Sequence, residues 1–286
     1  MDGILVLNKP KGMTSFSCCN KLKHYFKEKT GHTGTLDEEV DGVLVITIGK
    51  ATKLTELLMD HKKKYEAKCL LGIKTDTLDI HGDVLERQKV NSPLNIDEAL
   101  ESFKGEYLQI PPMYSAIKKD GKRLYELARK GIEVQRDPRL MNIYDIKRTS
   151  EIIYKNDTCS FDFTVIGSRG LYIRSLCEDI AKKLNTIGIM ANLRRTMVGK
   201  YHLDDSYTLD EVLNGNYKII SLEEILSDFP KLYVKDYLIR LIKNGITLDE
   251  RQITTTKPFV CYDSNGNMLA LYQMVEENKY KPIIIL

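Results

Sequence analysis

Ile173, Leu176, Cys177, Ile180, Ala181 and Leu184 recur at i, i+3, i+4, i+7, i+8 and i+11, the spacing of one apolar stripe along a helix. Just upstream the period changes to two. Phe161, Phe163 and Val165 alternate with polar residues across Ser160–Ile166, which predicts a strand with one buried face, and Tyr65–Ile73 alternates in the same way. Ile4–Leu7 and Val43–Ile48 are continuously apolar and short enough to be buried strands. Between them, Pro10 and Gly12 mark a turn, Thr14 or Ser15 caps a helix predicted to reach about Lys27, and a glycine-rich turn covers Lys29–Thr35. Further helices are predicted from Ala51 to about Asp60, over Ile96–Phe103 before Gly105, and over Leu124–Lys130.

Strands and helices mixed without a βαβ rhythm predict the α+β class. The Pro111-Pro112 pair stops regular structure, and the basic, glycine-containing stretch that follows reads as an excursion from the core over residues 109–140. Beyond Tyr201 the pattern shifts again. A helix near Tyr237–Lys243 meets Asn244-Gly245, and Asp263-Ser264-Asn265-Gly266 between apolar runs is a hairpin signal. The expected organisation is a body of residues 1–230 and a small β-rich module of residues 231–286.

Composition narrows the class. With 42% hydrophobic and 29% charged residues over 286 positions, the chain has enough apolar content for a core and lies outside the disordered range. Its apolar runs fall far short of the roughly 18–20 residues that cross a bilayer, and its amino terminus enters a strand instead of a signal peptide. Six cysteines form no CxxC pair, and the five histidines are scattered, so reduced thiols in a cytoplasmic protein are expected, with no metal. No GxGxxG or GxxxxGK[ST] occurs, and there is no internal repeat. The net charge of +3 conceals an asymmetry, because residues 204–286 hold 9 basic and 13 acidic side chains while residues 1–203 hold 34 and 27. The doublets Lys118-Lys119 and Lys122-Arg123 are the densest basic cluster, a footprint for a polyanion that a solvated face also produces.

Gly31-His32-Thr33-Gly34-Thr35-Leu36-Asp37 packs two glycines, two hydroxyls, a histidine and an acid between a helix and a buried strand. Such a loop suits a site in which Asp37 acts as nucleophile or base, and it equally suits a tight turn capped by Asp37.

That segment, continued by Gly42-Val43-Leu44 and Gly49–Lys53, resembles the catalytic motif of the TruB-type tRNA pseudouridine synthases. Five other blocks resemble the same family in the same order: Gly3–Ser15, Lys64–Ala67, Pro111–Gly131, Gly170–Leu176 and Leu193-Arg194-Arg195. Together they span about residues 1–200. The resemblance implies a central mixed, mostly antiparallel sheet flanked by helices, with a short PUA-like RNA-binding module at the carboxy end. It implies isomerisation of the uridine at position 55 in the tRNA T arm, on a nucleotide flipped out of its stack, without cofactor.

Carried over residue by residue, Asp37 is the nucleophile, Arg174 its cation and Tyr65 the aromatic platform. His32, Tyr172 and Leu193 face the substrate, and Lys118, Lys119, Lys122, Arg123 and Arg129 grip RNA. The expected partner is the T-arm stem-loop, met by a monomer with no membrane and no guide RNA. The family's proline after the aspartate is replaced here by Glu38, a change expected to loosen the turn. Two other readings share these residues: a guide-RNA-dependent relative acting on other RNAs, and a non-catalytic tRNA-binding or folding protein.

Overall fold

A computed structural model describes residues 1–59, 62–119 and 121–286. Its main strands are β1 (Gly3–Lys9), β2 (Thr30–His32), β3 (Asp41–Ile48), β4 (Lys63–Leu71), β5 (Gly105–Gln109), β6 (Arg139–Arg148), β7 (Thr158–Gly167) and β8 (Gly188–Val198). Among the described residues they belong to a twelve-stranded mixed sheet whose main path runs Tyr207–Thr208, β1, β3, β8, β4, β7, β6, β5. From β8 to β5 every neighbour on that path is antiparallel, whereas β3 and β8 are parallel. The α+β class and the mostly antiparallel sheet are as expected.

Alternation decides what covers each face. Leu5, Leu7, Leu44 and Ile46 pack on Cys18 and Leu22 of helix α1 (Ser15–Phe26), which begins after the Thr14 cap as predicted. In the other half of the sheet, Tyr65, Ala67, Cys69, Phe161, Phe163 and Val165 meet Ile173, Leu176, Cys177 and Ile180 of helix α2 (Ile173–Lys183). The two halves are joined at β3 and β8 by two register pairs, Arg194↔Asp41 and Arg195↔Gly42. Gly42 is required there: its φ is +113°, and a Cβ would fall 2.2 Å from the carbonyl oxygen of Arg195.

Several elements differ from expectation. The predicted helix from Ala51 is a 3₁₀ turn, Gly49–Leu54, followed by an α turn, Thr55–Met59, and its expected end at Asp60 lies outside the described residues. The alternating run from Tyr65 breaks at Gly72. The glycine-rich turn holds a short strand, β2, paired with β3. The central strand β8 was not expected, because a bulge between Met190 and Asn192 and the polar Asn-Leu-Arg-Arg-Thr run erase its alternation.

A five-stranded sheet, in the order Lys231–Tyr233, Phe259–Tyr262, Met268–Glu276, Lys279–Ile285, Leu248–Asp249, forms the carboxy-terminal part. Its hairpin turn is tied by Asp263, whose carboxylate accepts from the backbone amides of Asn265 and Asn267. Val260, Tyr262, Leu271 and Ile284 share one core cluster with Ile4, Val6, Val43 and Val45 of the main sheet, so this part is built onto the body. All six cysteines are unpaired and buried, and no helix among the described residues is long and apolar enough to cross a membrane.

Candidate active site

The loop carrying Asp37 is anchored at both shoulders. Ser15, the first residue of α1 and buried, donates its Oγ hydrogen to the Leu36 carbonyl at 3.0 Å and accepts from the Leu36 amide at 2.8 Å. After the aspartate, the amide of Val40 donates to the carbonyl of Asp37, closing a turn over Glu38-Glu39. The Glu38 carbonyl accepts from the Gly12 amide at 3.0 Å and from Lys9 Nζ at 3.1 Å. Lys9 is fully buried and also donates to Pro10 and Met13, and burial lowers its pKa. The turn that loses a proline at Glu38 is thus tied to the end of β1.

Arg174, in the first turn of α2, sits 3.0 Å from Asp37, measured from Nη2 to Oδ2. The guanidinium is 8% exposed while the carboxylate is 52% exposed, so the pair presents an acid oxygen to solvent and keeps the cation inside. Arg174 also donates to the carbonyls of Thr77 at 3.1 Å and Tyr114 at 2.8 Å, and its Nη1 lies 3.9 Å from Asp79 Oδ2. A planar fork with five donors can serve several acceptors at fixed angles, which an ammonium cannot. Tyr114 lies in the Pro111–Gly131 block that the resemblance marks, whereas Thr77 and Asp79 are members of this network that sequence reasoning missed. The acid-rich Thr75–Asp83 turn was their one visible signal: within it Thr77 donates to the Asp79 carboxylate and Thr75 to the Asp79 carbonyl.

A cavity of about 170 Å³ adjoins the pair, with Asp37, Val40, Asp79, His81 and Leu193 among its walls. Leu193 and Asp37 therefore line one cavity. Tyr65 is 8% exposed and belongs to the same buried cluster as Leu36, Val40 and Leu193, without forming part of that wall. Tyr172 is the residue before α2, and Asp37 and Arg174 both act on its hydroxyl electrostatically, while burial raises its pKa.

His32 closes β2, and its Nδ1 accepts from the Gly34 amide at 3.3 Å. Burial and the positive charge of Arg195 lower its pKa, so it is neutral near pH 7. The unfolded chain then takes up a proton here more readily than the folded one. Stability is full above the ordinary histidine pKa of about 6.5 and falls as pH drops through it. His32→Gln is expected to lose less Tm than the parent between pH of about 7.5 and 5.5; equal losses would remove this assignment.

Lys118, Lys119, Lys122 and Arg123 face one another across a small hairpin, in the register Lys118↔Arg123 and Lys119↔Lys122. The Arg123 and Arg129 guanidinium groups lie 5.8 and 5.6 Å from the ring centre of Tyr125. None of the five basic residues forms an ion pair among the described residues, and all five lie on the insertion. The link between insertion and site is at its root. The Gln109 side chain bonds both the amide and the carbonyl of Tyr172 at 2.8 and 2.9 Å, and Ser175 donates to the carbonyl of Ile110.

Known proteins resemble this chain from end to end. Residues 22–173 match the family model described as TruB family pseudouridylate synthase (N terminal domain), and residues 174–242 match tRNA pseudouridylate synthase B C-terminal domain. Proteins named tRNA pseudouridine synthase B are similar over the whole length: that of Bacillus pumilus is 40% identical, covering 100% of this chain and 98% of its own. That of onion yellows phytoplasma is 42% identical, covering 99% of each. Among solved structures, a Cbf5-Nop10-Gar1 complex contains a chain of similar fold, with a TM-score of 0.69 at 23% identity over 99% of this chain and 83% of the other.

Proposed function

The chain belongs to the TruB family of pseudouridine synthases, and from that membership we propose that it isomerises the uridine at position 55 in the T arm of tRNA, with Asp37 as nucleophile. In this reading it works as a cytoplasmic monomer without guide RNA, metal or cofactor. The observation that carries the reading is the 3.0 Å contact between a half-exposed Asp37 carboxylate and a buried Arg174 guanidinium beside a cavity.

The reaction breaks the N1–C1′ bond of uridine and forms a C5–C1′ bond. The proton on C5 leaves to solvent and N1 takes one up, so no atoms are gained and no redox partner is needed. A carboxylate paired with a neighbouring guanidinium attacks the nucleotide and holds it while the base turns over. The uridine must leave its stack, and an aromatic face returns about 1–3 kcal/mol of the lost stacking. Tyr65 supplies that face, with Leu193 and Tyr172 around the base. His32, neutral and near the loop, contacts the RNA without moving a proton.

Residues 109–140 grip the RNA, and residues 231–286 act as a PUA-like module that adds a weaker contact. Because that module shares a core with β1 and β3, deleting it would strip the main sheet, and surface variants are the cleaner probe. Replacing Lys118, Lys119, Lys122 and Arg123 together with alanine is expected to weaken tRNA binding and flatten its salt dependence, with the log–log slope falling by about 0.7–0.9 for each phosphate no longer neutralised. Tyr237→Ala with Arg240→Ala, on the exposed side of the Asp236–Lys243 helix, is expected to cost less. Filter binding across a salt series measures both, and an unchanged slope in the quadruple variant would remove the insertion from the RNA grip.

The function itself is tested by tritium release from 5-tritiated uridine in a minimal T-arm stem-loop, with no other RNA or protein. Release supports the proposal; tight binding without release would favour the non-catalytic reading.

A further inference from the structure

Arg195 is 2% exposed and is the bulkiest fully buried side chain described. Among the described residues it has no carboxylate within ion-pair distance, so its charge is held by other means. Nε donates to the Val43 carbonyl at 2.8 Å, Nη2 to the Gly34 carbonyl at 3.0 Å, and Nη1 reaches the Thr35 carbonyl at 3.4 Å. Within the sheet its register partners are Tyr65 on β4 and Gly42 on β3, and Tyr65 also interacts with the guanidinium through its side chain.

Burying a guanidinium is costly, and an apolar side chain of similar volume would fill the same space at lower cost. What such a side chain could not do is satisfy three main-chain acceptors at once. Two of these, Gly34 and Thr35, lie three and two residues before Asp37. His32, at the start of the same loop, feels the charge, since Arg195 helps to lower its pKa.

We propose that Arg195 is a positioning residue for uridine isomerisation, clamping the main chain just before Asp37 and joining that loop to the strand that carries Tyr65, so that nucleophile and stacking face keep one geometry. The proposal rests on the reading of Asp37 as nucleophile. It requires no contact between Arg195 and substrate.

The test compares Arg195→Lys and Arg195→Met with the parent and with Asp37→Asn, in the full chain. Four quantities are read: melting temperature, affinity for unmodified tRNA transcript, single-turnover tritium release, and amide hydrogen exchange resolved over residues 31–40. Lysine keeps the charge but reaches fewer acceptors. Arg195→Lys is expected to stay folded, to bind tRNA within about threefold of the parent and to turn over about 10–100-fold more slowly, with faster exchange confined to the loop. Arg195→Met is expected to be slower still.

A parental rate and parental loop exchange in Arg195→Lys would overturn the proposal. So would rate losses that merely follow a fall in melting temperature and faster exchange across the whole chain, or failure of both variants to fold, each of which makes Arg195 a folding residue. Parental turnover by Asp37→Asn would instead overturn the nucleophile reading and the catalytic half of this inference, and the loop exchange of Arg195→Lys would still report whether the clamp exists.

Discussion

Asp37→Asn is expected to abolish pseudouridine formation, lowering single-turnover tritium release by at least about 10³-fold, while the protein stays folded and holds tRNA about as tightly as the parent. The substitution is nearly isosteric. The turn around it is held by main-chain groups of Leu36, Asp37, Glu38 and Val40, and by the side chains of Ser15 and Lys9, none of which it alters. What changes is the nucleophile: an amide oxygen carries no charge and forms no stable bond to the nucleotide. Equal rates for the two proteins would mean that the carboxylate is a structural cap, the alternative that the loop's composition leaves open.

The second large effect is expected at Arg174. Arg174→Met leaves Asp37 without its cation and leaves the carbonyls of Thr77 and Tyr114 without their donor. A loss of about 10²–10³-fold in turnover is expected, the range seen when one preorganised charge-stabilising donor is removed. Arg174→Lys restores charge but not the fork, and its rate is expected to fall between the two. The comparison separates charge from geometry: a lysine variant at the parental rate would mean that any cation suffices. Because Tyr114 belongs to the root of the insertion, the methionine variant is also expected to loosen that root, visible as faster amide exchange near residues 109–115.

The parts of the fold that were legible beforehand are those in which one physical signal dominates. The stripe from Ile173 to Leu184 marked α2 because a single apolar face docks on the sheet. Thr14 and the following residues marked α1 because a hydroxyl at that place satisfies a free helix amide, here that of Ser17. Strand β8 was hidden because one of its buried side chains, Arg195, is an arginine, and Arg194 and Thr196 on either side of it are polar. A buried charge reads as surface until its acceptors are known, and the acceptors of Arg195 are carbonyls some 150–160 residues away in sequence. Lys9, buried with carbonyl acceptors of Pro10, Met13 and Glu38, is a second charge of this kind.

For the candidate site, the resemblance placed Asp37, Arg174, Tyr65 and Leu193 together, and the fold brings them to one region through four separate elements. In sequence, the acids of the Thr75–Asp83 turn fit an ordinary solvated loop. The neighbour that gives it meaning, Arg174, is supplied by a helix that begins nearly a hundred residues later. Pairing of that kind is set by tertiary packing and has no local pattern.

The decisive experiment is to incubate an unmodified tRNA transcript with this chain alone, without guide RNA, metal or any other protein, and to map pseudouridine at single-nucleotide resolution. Conversion is expected at position 55 and at no other uridine of the T arm. An unmodified position 55, or pseudouridine elsewhere in its place, would contradict the proposed function.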